Sequence, residues 1–225
     1  MYIAPQSGIV LIVHNSQSLR WVVAAGGYRS GSTLQYNLFG VYLEAIHLGG
    51  RVGLVDPDQV QALGEQKWAP FDGIGVAKTH HVVEGFRRFE RPTAWASEVL
   101  AGRARPISTI RDVRDTRRSM CRKFGYADNT LDTSIEWREN IANQSRWAEL
   151  GTIEQRYELL VENPERALAD LCAALDLPWS RESANHAAIA TDRSHAILVM
   201  QRAKQGTVDP VTLLHWDHIE IDPVS

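Results

Sequence analysis

The stretch WVVAAGGYRSGSTLQYNLFG, residues 21–40, constrains the fold more than any other part of the chain. An apolar, β-branched run ends in a turn rich in glycine and serine, and from Ser32 onward the apolar residues recur with helical spacing. This order predicts a buried strand, a tight turn and a helix, which is the building unit of a parallel α/β fold. Because such a turn presents backbone N–H groups at a helix N-terminus, it is also a typical place to bind phosphate.

The turn has the glycine spacing of a phosphate-binding loop but lacks the usual lysine. Four residues separate Gly26 from Gly31, and Ser32 stands where nucleoside triphosphatases carry the lysine that contacts the terminal phosphates. The cation of the turn is instead Arg29, whose planar guanidinium suits phosphate oxygens. Hydroxyl donors are Ser30, Ser32 and Thr33. The pattern predicts an anion site that does not favour triphosphate hydrolysis; the alternative is a polar turn that only caps a helix.

Strand and helix patterns alternate along the rest of the chain and predict an α/β fold with a mainly parallel sheet. Strands are expected at 9–13, 21–25, 51–55, 74–80, 106–110 and 152–160. Helices are expected at 32–48 with a stop at Gly49-Gly50, at 57–66, 93–102, 116–124, from a Thr133–Glu136 capping box to Leu150, and from Asn163 and Pro164 to 175. No element is predicted after residue 180.

A second polar cluster follows the predicted strand at 74–80, which ends in Lys78-Thr79-His80. Lys78 and His80 alternate along the strand and therefore share a face. A lysine can stabilise charge on a transferring group, and a histidine titrates near neutral pH and can act as a general base. His81 competes for the base role. The alternative is a polar strand end that faces solvent.

A third cluster, RDVRDTRRS, follows the predicted strand at 106–110. Arg111 leaves the strand and Ser119 lies eight residues later in the next helix, so a cation and a hydroxyl can clamp one anion. The alternative is a surface charge run in which Asp112 and Asp115 pair with Arg114 and Arg117. Ligands of open α/β sheets bind beyond the carboxyl ends of the strands, so all three clusters are expected at one edge.

Composition limits the partners and the compartment. The 225 residues are 44% hydrophobic, which suffices for a single domain spanning 1–225. The net charge is -3, so we expect no nucleic-acid partner and no binding to an anionic membrane, and GIVLIV is too short to span a bilayer. Two isolated cysteines form neither a disulfide framework nor a metal cluster, so a cytoplasmic location is expected.

The three clusters together resemble sulfotransferases of the cytosolic and bacterial type, which use 3′-phosphoadenosine-5′-phosphosulfate (PAPS). The resemblance rests on GYRSGST, like the family's 5′-phosphosulfate loop, on KTH, like its catalytic strand end, and on IRDVRDTRRS, like its 3′-phosphate motif. A fourth match is RYELLVENPERALADLCAALDLP. The order and spacing agree over roughly residues 20–180 and imply a three-layer fold like that of P-loop nucleotide hydrolases.

The resemblance also implies a role for each matched residue. The 5′-phosphosulfate would bind Arg29, Ser30, Gly31, Ser32 and Thr33. The 3′-phosphate would bind Arg111 and Ser119, and a late Arg/Lys-Gly loop would draw on Arg202, Lys204 and Gly206. His80 would be the general base, Lys78 and Arg29 would stabilise the transferring sulfonate, and no metal is needed. The implied reaction transfers sulfonate from PAPS to a hydroxyl or amine of a small-molecule acceptor.

Two other functions fit parts of the pattern. An ATP-dependent P-loop kinase would need an acidic magnesium ligand after a buried strand, for which Asp112 is the candidate. A nucleotide-sensing domain without turnover would keep the loop and dispense with the KTH residues. Four aromatic residues near KTH in the sequence either line an apolar acceptor site or pack in the core: Trp68, Phe71, Phe86 and Trp95.

Overall fold

A computed structural model of the chain describes residues 19–55, 73–79, 94–127, 129–202 and 208–214. The strands in these residues are β1 Trp21–Ala24, β2 Gly49–Leu54, β3 Ile74–Lys78, β4 Ala104–Ile110 and β5 Ile153–Arg156. The helices are α1 Ser32–Ala45, α2 Ala94–Leu100, α3 Val113–Phe124, α4 Ile135–Glu149, α5 Tyr157–Glu162, α6 Pro164–Leu175, α7 Arg181–Ala190 and α8 Arg193–Arg202. The predicted segments 9–13 and 57–66 lie outside the described residues.

The strands form one sheet in the order β2-β3-β1-β4-β5, and every neighbouring pair in it is parallel. β1 is the central strand, and its last residue, Ala24, is in register with Lys78 of β3 and Ile107 of β4. The predicted parallel α/β fold is therefore confirmed. Since all strands run the same way, their carboxyl ends lie at one edge of the sheet.

Helices cover both faces of the sheet. Successive residues of β1 point to opposite sides, so neighbouring residues of this strand pack against different helices. Val22 and Ala24 belong to a buried cluster with residues of α1, α6 and α7. Val23 belongs to a second cluster, which includes Trp95 of α2 and Trp147 of α4. This arrangement is the predicted three-layer architecture. Trp95 is 0% exposed, so the core alternative was the right one for this residue.

Two of the predicted helix boundaries were wrong. α1 ends at Ala45, and Gly49 is the first residue of β2 rather than a helix stop. A Cβ on Gly49 would overlap the backbone carbonyl of Ile74, so the glycine allows these two strands to approach closely. The helix α4 is capped by Ser134 rather than by Thr133, because the Ser134 hydroxyl accepts a hydrogen bond from the Trp137 N–H.

The predicted strand at 152–160 and the region after residue 180 also differ. β5 ends at Arg156, and the chain then enters the short helix α5. The helices α7 and α8 were not predicted. α7 buries the small residues Ala184 and Ala187, so its buried face carries little hydrophobic periodicity. No helix within the described residues is long and apolar enough to cross a membrane.

Candidate functional site

The three predicted clusters lie at the carboxyl edge of the sheet. Residues 25–31 form the loop that leaves β1 between its two neighbours, where Ala25 N–H donates to the Ile107 carbonyl at 2.7 Å and Thr79 N–H donates to the Ala24 carbonyl at 3.1 Å. Lys78 ends β3 beside this loop, and Arg111 directly follows β4. The central position of β1 therefore places the loop between the other two clusters.

Ser30 braces the loop from within. Its hydroxyl donates to the Gly27 carbonyl at 2.8 Å and lies 2.9 Å from the hydroxyl of Thr109 on β4. Ser30 is 1% exposed. In the structure this hydroxyl stabilises the turn, and its predicted contact with a bound anion stays a prediction.

The loop is also braced by α4, a contact that sequence reasoning missed. The Tyr28 N–H donates to Oδ1 of the buried Asn140 at 2.6 Å. A Cβ on Gly27 would overlap the Asn140 carboxamide, so the glycine lets α4 approach the loop closely. Asn140 lies 112 residues from Tyr28 along the chain, and its only sequence signal is a polar residue on the inner face of an amphipathic helix.

Arg29 joins the loop to α3. Its Nε donates to the hydroxyl of Ser119 at 2.8 Å, and Ser119 is 0% exposed. The backbone of Arg29 lies in the left-handed region, with φ 61°, which costs a residue other than glycine about 1 kcal/mol. The contact connects the residue expected at the 5′-phosphosulfate with one expected at the 3′-phosphate. Ser119 does not line the cavity that opens over these residues, so its contact with the 3′-phosphate stays a prediction.

Lys78 and Lys123 both lie within the electrostatic field of Arg29. Lys78 is 6% exposed, and burial together with the Arg29 charge lowers its pKa to about 8. The pKa of Lys123, in the last turn of α3, is lowered by the same two causes. Arg29 therefore disfavours the charge of two lysines that lie near it, in a chain of net charge -3. An anion bound among them would offset this repulsion.

Arg111 is positioned by an aromatic ring. Its guanidinium carbon lies 4.6 Å from the centroid of the Tyr157 ring, within the range of a cation–π contact. Tyr157 begins α5, and its ring also lies against Gly31 of the loop, where a Cβ would overlap it. Sequence reasoning included Tyr157 only as part of a motif and gave it no role. The sequence feature that could have indicated a role for it is a tyrosine directly after a short strand.

A cavity of about 1250 Å³ opens over these residues. Of the predicted loop residues, Arg29, Gly31, Ser32 and Thr33 line it and Ser30 does not. Its described lining includes six Lys or Arg, namely Arg29, Arg51, Lys78, Arg111, Lys123 and Arg193, and two acidic residues, Glu44 and Asp192. Glu44 pairs with Arg51 through two bonds of 2.9 and 3.0 Å. Basic residues therefore outnumber acidic ones among the described residues that line the cavity.

The far wall of the cavity comes from α7, α8 and residues 208–214. This last segment is attached to α1, where the Tyr36 hydroxyl donates to the Val211 carbonyl at 2.8 Å and Asn37 Nδ2 donates to the Thr212 carbonyl at 2.7 Å. Arg202 ends α8, but its side chain lies outside the described part of the structure. The other predicted residues of that late loop, Lys204 and Gly206, lie outside the described residues, as do His80, His81, Trp68, Phe71 and Phe86.

Asp112 caps α3 and does not line the cavity. Its carboxylate accepts from the Arg114 N–H at 2.8 Å and pairs with the Arg114 guanidinium at 2.9 Å. The hydrogen bond from the Arg114 side chain is the main cause that lowers the pKa of Asp112 to about 2. The pairing predicted for a surface charge run is therefore confirmed for Asp112 and Arg114. Asp115 instead contacts Arg118, and Arg117 pairs with Asp132. Arg111 lines the cavity.

The contact between Gly31 and Tyr157 predicts a specific effect of Gly31→Ala. Gly31 has φ 99°, and a Cβ would both strain this backbone and displace the Tyr157 ring. The matched control is Gly125→Ala, which has φ 72° and open space around the added Cβ. Denaturant unfolding should show a loss of about 1 kcal/mol for Gly125→Ala and a clearly larger loss for Gly31→Ala. Equal losses would contradict the packing of Tyr157 on the loop.

No protein-family model matches the chain, and no curated protein matches it in sequence. Among solved structures, mouse sulfotransferase SULT7A1 in complex with PAP aligns with a TM-score of 0.55 at 14% identity, over 88% of this chain and 71% of that one. Two structures of retinol dehydratase, one with retinol and PAP and one with androsterone and the inactive cofactor PAP, align with TM-scores of 0.49 and 0.47 at 14% identity. They cover 79% of this chain and 66% and 65% of theirs. The chain therefore has the fold of the PAPS-dependent sulfotransferases, as its ordered motifs predicted.

Proposed function

We propose that this protein is a sulfotransferase that transfers the sulfonate group of PAPS to a hydroxyl or amine of a small-molecule acceptor. One observation carries the proposal: a single cavity holds two cationic groups, Arg111 at the start of α3 and Arg29 with Lys78 at the loop. PAPS is anionic at two places, its 3′-phosphate and its 5′-phosphosulfate. We assign one cationic group to each of these charges.

The residues present fit such a ligand. Gly31, Ser32 and Thr33 form the N-terminal end of α1 and line the cavity, so their backbone N–H groups and hydroxyls suit the 5′-phosphosulfate. Arg29 supplies the cation of this subsite. Arg111, oriented by Tyr157, suits the 3′-phosphate. Ser119, which is buried and accepts a hydrogen bond from Arg29, remains a proposed ligand of that phosphate. Ser30 contributes by stabilising the loop, and the late residues Arg202, Lys204 and Gly206 remain proposed ligands of the nucleotide.

The donor supplies a sulfonate whose bond to the bridging phosphate oxygen breaks as the acceptor oxygen bonds to sulfur. Lys78, in its charged form, stabilises the negative charge that develops on that oxygen, and Arg29 neutralises the neighbouring phosphate. His80 is the proposed general base, which takes the proton from the acceptor. These roles need no metal ion. Neither Cys121 nor Cys172 forms a disulfide with another described residue, which is compatible with the proposed cytoplasmic location.

The kinase alternative loses its main support. Its proposed magnesium ligand, Asp112, is engaged with Arg114 at the N-terminus of α3 and is not among the residues that line the cavity. The position of the loop cation at Arg29, three residues before the usual lysine, also separates the loop from that of the triphosphatases.

Calorimetry with 3′-phosphoadenosine-5′-phosphate (PAP), the expected product, tests the donor site. Without magnesium, PAP should bind more tightly than AMP, which lacks only the 3′-phosphate, and more tightly than ATP. Arg111→Ala should weaken PAP roughly tenfold or more, because it removes charge-assisted hydrogen bonds to the 3′-phosphate, and should leave AMP nearly unchanged. The control is Arg114→Ala on the exposed side of α3. Preference for ATP, or a magnesium requirement, would contradict the proposal.

His80→Ala tests the base. The variant should lose about 10²–10⁴-fold in turnover of PAPS with a phenolic acceptor, since a positioned base contributes that much, while PAP affinity stays close to that of the wild type. His81→Ala is the matched control. Full activity of His80→Ala, or an equal loss in both variants, would reject His80 as the base.

The lowered pKa of Lys78 predicts a pH dependence of binding. A bound anion favours the charged lysine and raises its pKa, so PAP binding at a pH between about 8 and 10 should take up a proton. The affinity for PAP should then fall as the pH rises above about 8. Calorimetry at pH 9 in two buffers of different ionisation enthalpy measures the proton uptake, which Lys78→Met should reduce. Unchanged uptake in that variant would show that another group is responsible.

A further inference from the structure

The helix α3 orders the cationic residues of the cavity along its length. Arg111 precedes the helix, Ser119 contacts Arg29 at mid-helix, and Lys123 lies in the last turn. Ten residues separate Val113 from Lys123, which corresponds to about 15 Å along the helix axis. Lys123 therefore lies on the side of Arg29 that faces away from Arg111.

Lys123 shares a face of α3 with Ser119, because the two are four residues apart. Ser119 accepts a hydrogen bond from Arg29, and burial together with the charge of Arg29 lowers the pKa of Lys123, so both residues lie near Arg29. Lys123 also lines the cavity, as Lys78 does from the sheet edge. The cavity thus continues past the loop cation to a further positive side chain.

An aromatic surface lies beside Lys123. The rings of Tyr28 and Phe124 meet edge to face, with centroids 6.1 Å apart, and both residues line the cavity. Phe124 is 36% exposed, so part of its ring is open to a ligand. A cation next to an open aromatic surface suits a ligand that combines an apolar ring with an anionic group.

The charges of the donor do not require Lys123. The 5′-phosphosulfate carries one negative charge on phosphate and one on sulfonate, and the proposed function matches them with Arg29 and Lys78. A third cation at this end of the cavity attracts a further anion. An acceptor that enters beyond the sulfonate is the reactant with access to that position.

We propose that the acceptor is an anionic aromatic or similarly apolar molecule, whose carboxylate or equivalent charge binds Lys123 while its ring contacts Phe124 and Tyr28. This inference rests on the proposed function and adds the chemical class of the acceptor to it. Lys123 acts here as a binding and specificity residue. The sulfonated hydroxyl is placed between it and the loop.

The test compares 4-hydroxybenzoate with 4-hydroxybenzamide, two phenols of nearly equal shape that differ in charge. The wild type should have a higher kcat/KM for the benzoate. Lys123→Gln should lower the ratio of kcat/KM for the benzoate to kcat/KM for the benzamide about tenfold. Lys123→Arg should retain this ratio. Arg122→Gln removes the same charge one residue away, on an exposed position of α3 that does not line the cavity, and should keep the wild-type ratio.

PAP binding to each variant separates this inference from the proposed function. If the wild type does not bind PAP, the sulfotransferase assignment itself fails. If PAP binds but the wild type shows no preference for the benzoate, or Lys123→Gln keeps the ratio, the acceptor inference is overturned. A loss of PAP affinity in Lys123→Gln as large as that in Arg111→Ala would also overturn it, because Lys123 would then bind the donor.

Should neither phenol be turned over, the ratio of their affinities for the PAP-loaded protein replaces the ratio of kcat/KM, and the same outcomes support or overturn the inference.

Discussion

The repulsion between Arg29 and the buried Lys78 at the carboxyl edge of the sheet is the constraint on which the site depends. Arg29 and Lys78 lie close together where burial already disfavours a charged lysine. Burial and the charge of Arg29 both lower the pKa of Lys78. A cluster of this kind persists only if the surrounding fold is stable enough to hold it. The parallel sheet, buried on both faces, supplies that stability, and a bound anion would relieve the repulsion. The repulsion within the site would therefore favour the binding of an anion.

The loop that carries Arg29 is strained and is held from several sides. Arg29 itself has a left-handed backbone, Ser30 is fixed to Thr109 on β4, and Tyr28 N–H is fixed to Asn140 on α4. α4 is in turn anchored by Trp147, which packs against the sheet. The geometry of the loop thus depends on the core on one face of the sheet, while α1, which follows the loop, packs into the core on the other face. Substitutions in either core would alter the site through these connections.

Sequence patterns were most informative where one local signal decides the structure. The β-branched run before a glycine turn identified β1, and Asn163 with Pro164 identified the start of α6, because caps and turns act within a few residues. Sequence patterns were least informative where packing between elements decides the structure. α7 buries alanines, so its periodicity is faint, and Gly49 was mistaken for a helix stop because the close approach of Ile74 is visible only in the folded sheet.

The sequence by itself determined the strand–loop–helix unit, the parallel sheet and the residues at three strand ends, because parallel strands bring their carboxyl ends to one edge whatever else the chain does. It also contained the ordered motifs that predicted the sulfotransferase fold. Only the tertiary structure decided that Ser30 braces the loop, that Asn140 supports it, that Tyr157 orients Arg111 and that Lys123 lies beyond Arg29. These are contacts between side chains on different elements, and no local pattern encodes them, since they arise from how helices pack on the sheet.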